Sequence, residues 1–385
     1  MVESRVSNVP ATGVAPRPQV LASLTDQHVL AAISEAPEAV SRAEIAHLTG
    51  LSKPAVSSAA ARLSDRGVIH SVGIRSGRRG GVATLYELNP HHGRSLAVVL
   101  HNDTIAVRAR DLGGAVQAHR QAEVAPESRS AQIIATTNRL IEEVSAAYAA
   151  PLLAAAVSIA DPVDAPTGAP VVLERSVFPQ AALQPRTELA LAEAARIVVD
   201  NDVNWATLGE FGQGELAGCD TFVYVYAGQG LGAGLFLGGR LFRGHRGLSG
   251  EIGYLRHQAD PALDLTQKLA SLGLGSADRY GIDLDRAALV LGGDPLGADA
   301  LACADVLAGA IANLGIVVNP SAIAFGGPLS AHARFTAAVR ERVEALSIDP
   351  PDFVVSRTTP LLGASAEAHR MALAEVGITT TRTDP

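Results

Sequence analysis

From Leu21 to about Pro90 the order of apolar and polar positions predicts three short helices and then a two-stranded hairpin. Residues 1–20, rich in Pro, Val, Ser and Ala without periodicity, read as a flexible leader. The stretch 42–59 reads as two helices around a tight turn, with Ile45, Leu51 and Val56 facing a shared core and Ala46 small where the helices would cross. Gly50 falls where the turn needs a positive φ. Ser52 can cap the second helix, and Pro54 is tolerated in its first turn, where no intrahelical N–H bond is lost. Residues 67–72 and 83–88 alternate like the strands of a wing. After the linker-like run 89–93, apolar strands alternate with alanine-rich helices from Leu96 onward, as an α/β domain requires, with glycine-dense zones at 228–239 and 244–253.

Composition narrows this picture. A chain of 385 residues, 48% hydrophobic, can bury a large core and a small satellite domain. No run of eighteen apolar residues and no signal-peptide pattern is found, which leads to the expectation of a cytoplasmic protein that avoids the membrane. Cys219 and Cys303 cannot make a disulfide framework and are not at metal-ligand spacing. The net charge of −8 argues against a surface coated by nucleic acid, but the charge is segregated. Between Ser41 and Pro90 seven basic residues face three acidic ones, so that segment is about +4 and the remainder about −12.

That local charge gives the two-helix motif a chemistry. An ordinary αα-hairpin would share its packing but not the polar and basic face formed by Ser52, Lys53, Pro54, Ala55, Ser57, Ser58 and Arg62, which suits phosphates and base edges. Between the two wing strands, Arg75, Arg78 and Arg79 stand on a glycine loop able to enter a narrow minor groove, although a solvated basic turn would also explain the loop taken alone. The expected partner is double-stranded DNA. A homodimer would read a palindromic operator.

Five segments of the α/β domain stand out: the strand and turn ending Ala160-Asp161-Pro162-Val163-Asp164, the Asn201-Asp202-Val203-Asn204 segment, Gly228-Gln229-Gly230-Leu231-Gly232-Ala233-Gly234, Gly250-Glu251-Ile252-Gly253-Tyr254, and Asn319-Pro320 with Gly326-Gly327. In their order and spacing they resemble the ROK family (repressors, open reading frames and sugar kinases), and the whole chain resembles its NagC/XylR-type repressor branch. The resemblance implies an N-terminal all-α winged helix-turn-helix domain over 21–90, then an α/β, two-lobed, actin-like (ribonuclease H-like ATPase) domain over 91–385. Its small lobe would span about 95–200 plus a helix at 363–377, and its large lobe about 201–362. It also implies that Asp202 stands where the family's kinases keep a general base, with Asn201, Glu251 and Tyr254 as further contacts to a sugar-like effector. A second role, capping the following helix, is open to Asp202.

The departures from the family matter as much. Val99 and His101 stand where a kinase has the aspartate and first glycine of its phosphate turn; valine cannot hold a hydrated Mg²⁺, and a side chain at the glycine position obstructs a triphosphate. The expectation is therefore sensing without catalysis: no ATP, no catalytic residue. Tyr254 replaces the histidine of the family's zinc site, no cysteine follows within 255–271, and His257 alone cannot complete a tetrahedral site, so no metal is expected. Gln267 replaces the glutamate that helps hold the sugar. The residues leave open a modified sugar, a sugar phosphate or no effector, and a sugar kinase carrying a DNA-binding head is the alternative activity.

Overall fold

The computed structural model describes residues 18–76, 82–101, 103–125, 130–173, 175, 183–191, 196–276 and 280–378, which fall into two compact units. The first runs from the N-terminus to Asn89 and takes in residues 376–378 from the far end of the chain; the second starts at Pro90. The sequence expectation kept the whole C-terminal end with the second domain. The chain returns instead, burying Val376 and Ile378 in the first unit, where a Cβ built on Gly377 would stand 4.0 Å from Leu30.

In the first unit, helices α1 (Pro18–Glu35), α2 (Arg42–Thr49) and α3 (Lys53–Asp65) pack against strands β1 (Val40–Ser41), β2 (Ile69–Ser76) and β3 (Val82–Leu88). Val29, Leu30, Ile33, Ile45, Val56 and Leu63 are buried, so Ile45 and Val56 take the expected core places, whereas Leu51, in the turn between α2 and α3, is only partly buried. Ser41 accepts from the Glu44 backbone N–H at 3.3 Å while the Glu44 carboxylate accepts from the Ser41 N–H at 2.8 Å, a reciprocal cap that starts α2. Gly50 ends it with φ 69°, Ser52 caps α3 through the Ala55 N–H, and Pro54 sits in the first turn of α3. The hairpin is longer than predicted. β1, a two-residue strand too short to carry a periodic signal, pairs antiparallel with β3 and completes a three-stranded sheet.

The second unit repeats one plan twice. The first sheet comprises β4 (Arg94–Leu100), β5 (Thr104–Asp111), β6 (Val116–Glu123), β7 (Leu152–Ile159) and β10 (Arg196–Asn201), in the order β10-β7-β4-β5-β6. The second comprises β11 (Phe222–Ala227), β12 (Leu231–Leu237), β13 (Arg240–Phe242), β14 (Ala322–Gly326) and β15 (Asp352–Val355), in the order β13-β12-β11-β14-β15. In both, three antiparallel strands are extended by two parallel ones, so two lobes carry the same topology. A small ribbon, β8 (Val163–Asp164) and β9 (Ala169–Pro170), follows β7.

Helices α4 (Ser130–Ala147), α5 (Pro185–Glu188) and α11 (Pro360–Glu375) accompany the first sheet; α6 (Asp202–Gln213) packs between α11 and strands β11 and β12 of the second; and α7 (Leu265–Leu269), α8 (Leu284–Leu291), α9 (Ala298–Val318) and α10 (Ala333–Leu346) accompany the second. By length and composition α9 is apolar enough to cross a membrane, yet Cys303, Leu307 and Ile311 lie buried in the core of the second lobe. α6 and α11 lie in near contact. A Cβ on Gly363 would stand 1.7 Å from the Trp205 carbonyl, so glycine is what lets the two backbones approach.

Candidate functional site

Ser52, Lys53, Pro54 and Ser58 lie exposed along α3, with Ala55 and Ser57 partly so, giving a short polar and basic face of the kind that enters a major groove. Arg62 does not belong to that open face. Its guanidinium is held by Asp26 of α1, with Nη2 2.5 Å from Oδ1 and Nε 3.3 Å from Oδ2, and the pair ties α3 to α1. Arg75 on β2 is also paired, to Glu44 at 2.7 Å, but both groups are close to half-exposed, so water or phosphate can replace the carboxylate at little cost. Arg78 and Arg79 lie outside the described residues.

Between the two lobes of the second unit, the ends of β4, β7 and β10 meet the turn joining β11 to β12 around a cavity of about 70 Å³. His101, Asn201, Asp202, Tyr226, Gln229 and Glu251 line it. Asp202 opens α6 and is buried; one of its oxygens accepts from the Val203 N–H at 2.7 Å, and the other lies 3.9 Å from His101 Nε2. Burial raises the Asp202 carboxyl to about 6, even though the His101 ring and backbone N–H groups favour its charged form. Burial, reinforced by Asp202 and Asp161, lifts Glu251 to about 8, so at neutral pH it is a protonated hydrogen-bond donor. For His101 burial works against the cation, but the hydrogen bond to Asp103 at 3.1 Å and the charges of Asp202 and Asp103 outweigh it and raise its pKa. The cavity thus holds an imidazole whose protonated form is favoured by its acidic neighbours, an ionisable carboxylate and a carboxyl held largely protonated, within one small volume.

Three of the four expected effector contacts line this cavity, and one does not. Tyr254 stacks on Tyr280, ring centroids 6.1 Å apart, away from the lining, because the turn after Glu251 carries it toward Asp264, which accepts from the Tyr280 hydroxyl at 3.2 Å. Asn201, not Asp202, caps α6. Its Oδ1 accepts from the Val203 and Asn204 N–H groups at 2.9 and 3.4 Å, and its Nδ2 donates to the Ala160 carbonyl at 3.0 Å, so little of it is free for a ligand. Gln267 is spent in a reciprocal cap with Asp264 at the start of α7. His101, Tyr226 and Gln229 are lining residues the sequence did not single out as effector contacts; the signal for His101 was its place in the degenerate phosphate turn.

The glycine run 228–234 has a packing duty of its own. A Cβ on Gly232 would come 2.8 Å from Val203 and one on Gly234 1.8 Å from the Thr207 hydroxyl, so these glycines seat β12 against α6 whether or not a nucleotide binds. The residues present do not fit the metal-bound triphosphate of a kinase. Val99 offers no metal ligand, and the His101 ring, bonded to Asp103, fills the turn beside Asp202 with its Nε2 3.9 Å from the carboxylate. Nor do they fit a zinc ion. The Tyr254 ring is stacked, and His257 uses its Nδ1 to accept from the Asp260 N–H at 3.1 Å. Among the described residues no three His, Cys, Asp or Glu side chains cluster as metal ligands.

Residues 96–267 match the ROK family and residues 23–80 the MarR family. The chain carries a ROK family domain behind a MarR-type winged helix. It is similar to the xylose repressor of Caldicellulosiruptor bescii, 26% identical over 222 residues that cover 56% of this chain and 54% of that protein. The chain spans about half the length of the curated relatives it matches first. Its fold is that of a ROK family transcriptional regulator described as a homologue of the E. coli MLC protein, with a TM-score of 0.65 at 20% identity over 93% of this chain and 98% of that one. A ROK hexokinase from Thermus thermophilus shares the second unit's fold, with a TM-score of 0.57 at 21% identity over 74% and 99% of the two chains.

Proposed function

We propose that this protein is a DNA-binding repressor of carbohydrate genes, acting in the cytoplasm, whose inter-lobe cavity takes a sugar-like effector and performs no phosphoryl transfer. The observation that carries the reading is the joining of a winged helix to a ROK domain whose phosphate turn places His101 over Asp202. The likeness to a xylose repressor supports the carbohydrate assignment. In this reading α3 enters the major groove through Lys53, Ser57 and Ser58. Neither zinc nor ATP takes part.

The size of the cavity supports a ligand-driven change of shape. About 70 Å³ holds a couple of water molecules, so a sugar enters only when the lobes part. A ligand that binds one lobe arrangement better than the other shifts the balance between them; a coupling of about 1–3 kcal/mol changes operator affinity by about 5–150-fold. A homodimer fits this scheme, and Ile316, Val317, Leu346 and Ile348, apolar and exposed at the ends of α9 and α10, are the surface for it.

Genome-wide mapping of bound DNA tests the reading. The expected result is a few palindromic sites beside sugar-handling genes, with band-shift affinity altered by one sugar of a panel. One observation favours a kinase: a carboxylate held at about 6 is suited to serve as a general base. ATP-dependent phosphorylation of any sugar, lost in Asp202→Asn, would establish that activity and refute ours.

A further inference from the structure

A second cavity in the same unit, of about 220 Å³, is separate from the Asp202 pocket and is lined by charges that do not balance. Period two along β10 puts Arg196 and Asp200 on the same face of this edge strand, and both line the cavity together with Arg243 beyond β13 and Glu367 and Arg370 on α11. Asp200 is well engaged. It accepts from Arg243 Nε at 2.7 Å, from Asn204 Nδ2 at 2.7 Å and from the Asn201 N–H at 2.8 Å. Glu367 is engaged by Arg370 through two bonds of 2.6 and 2.8 Å. Among the described lining residues, three guanidinium groups therefore meet two carboxylates, each already engaged by an arginine.

The surplus is placed to be used. Arg243 spends only Nε on Asp200, leaving both terminal nitrogens without a partner among the described residues, and Arg196, exposed, has none either. Behind them Trp205 and Met371 give the cavity an apolar wall. A forked guanidinium pair recognises an oxyanion better than any neutral group, because each planar fork matches two acceptor oxygens. The volume is below the ~300–1,000 Å³ of drug-sized pockets, so only a body of a few carbons fits beside the anionic head.

We propose that this cavity binds a small organic oxyanion, a phosphate monoester or carboxylate of a few carbons, gripped between Arg196 of the first lobe and Arg243 of the second. Such a ligand bridges the two lobes. It acts at a place distinct from the effector pocket but one residue upstream of it, since Asp200 directly precedes Asn201 and Asp202.

The test is calorimetric titration of the full chain with glycerol 3-phosphate, 3-phosphoglycerate and inorganic phosphate, with glycerol as the uncharged control. Saturable binding of the two organic anions and none of glycerol is expected. Arg196→Ala should weaken it at least tenfold while leaving the melting temperature of the free protein unchanged, and Arg243→Lys, which keeps a charge beside Asp200, should weaken it as well. No saturable binding of any anion, or equal binding by Arg196→Ala, overturns the proposal. Inorganic phosphate binding as tightly as the esters would assign the site to the free ion and remove the organic body from the claim.

Discussion

Glu251→Gln isolates the electrostatics of the cavity around Asp202. Glu251 ordinarily titrates near 4.5 but is lifted to about 8 in the folded protein by burial, then by Asp202 and Asp161. A folded-state pKa raised above the unfolded one gives stability that is fully present below about 4.5 and is lost as pH rises to about 8, because the unfolded chain releases the proton first. Each pH unit inside that window removes about 1.4 kcal/mol, so the native chain should lose about 2–3 kcal/mol between pH 5 and 7 through this group alone. Glutamine is nearly isosteric, donates a hydrogen bond as the protonated acid does, and cannot ionise. The variant should match the native protein near pH 5 and exceed it by about 2–3 kcal/mol at pH 7. Urea unfolding at several pH values, followed by the fluorescence of Trp205, reads the second unit selectively, since this single tryptophan is buried in α6 with its indole N–H donating to the Val157 carbonyl at 3.0 Å. Because Asp202 is one cause of the Glu251 shift, the difference reports the two carboxyls as a coupled pair. A difference that stays flat from pH 5 to 8 would falsify the reasoning, because a group that titrates normally has no such slope.

Three further outcomes follow from other contacts. Gly363→Ala forces a methyl group to within 1.7 Å of the Trp205 carbonyl and should cost about 1–3 kcal/mol or more, read by the same fluorescence. Arg62→Ala removes the partner of Asp26; because the arginine side chain is 41% exposed the loss should be only about 1 kcal/mol, seen as a lower melting temperature of the first unit by circular dichroism. A drop of operator affinity with no change in melting would instead return Arg62 to the DNA face. Lys53→Ala should weaken binding to all DNA sequences alike and lower the salt dependence by about one phosphate contact; a sequence-dependent loss would contradict a phosphate role.

What could be read from the sequence is what neighbours dictate. Gly50, Ser52 and Pro54 each act within one turn of their own position, so the two-helix motif emerged with its boundaries, and the apolar alternation exposed the strands of the second unit. Partners far along the chain stayed hidden. Arg62 looked free because Asp26 is 36 residues away, and Arg75 because Glu44 is 31 away. Asn201 and Asp202 are adjacent, and both are good caps; only the backbone decides that Asn201 stands outside the helix while Asp202 enters its first turn. Tyr254 inherited its expected role from the motif position, whereas its packing is set by Tyr280, which no local pattern links to it.

The return of residues 376–378 to the first unit orders events at the ribosome. Leu30, Val56 and Leu63 are made early, yet Val376 and Ile378, buried in the same unit, are translated only after the whole two-lobed domain between them. Part of the first unit's interior is thus made before the two-lobed domain and part after it, and a fragment ending at Asn89 lacks some of its own core.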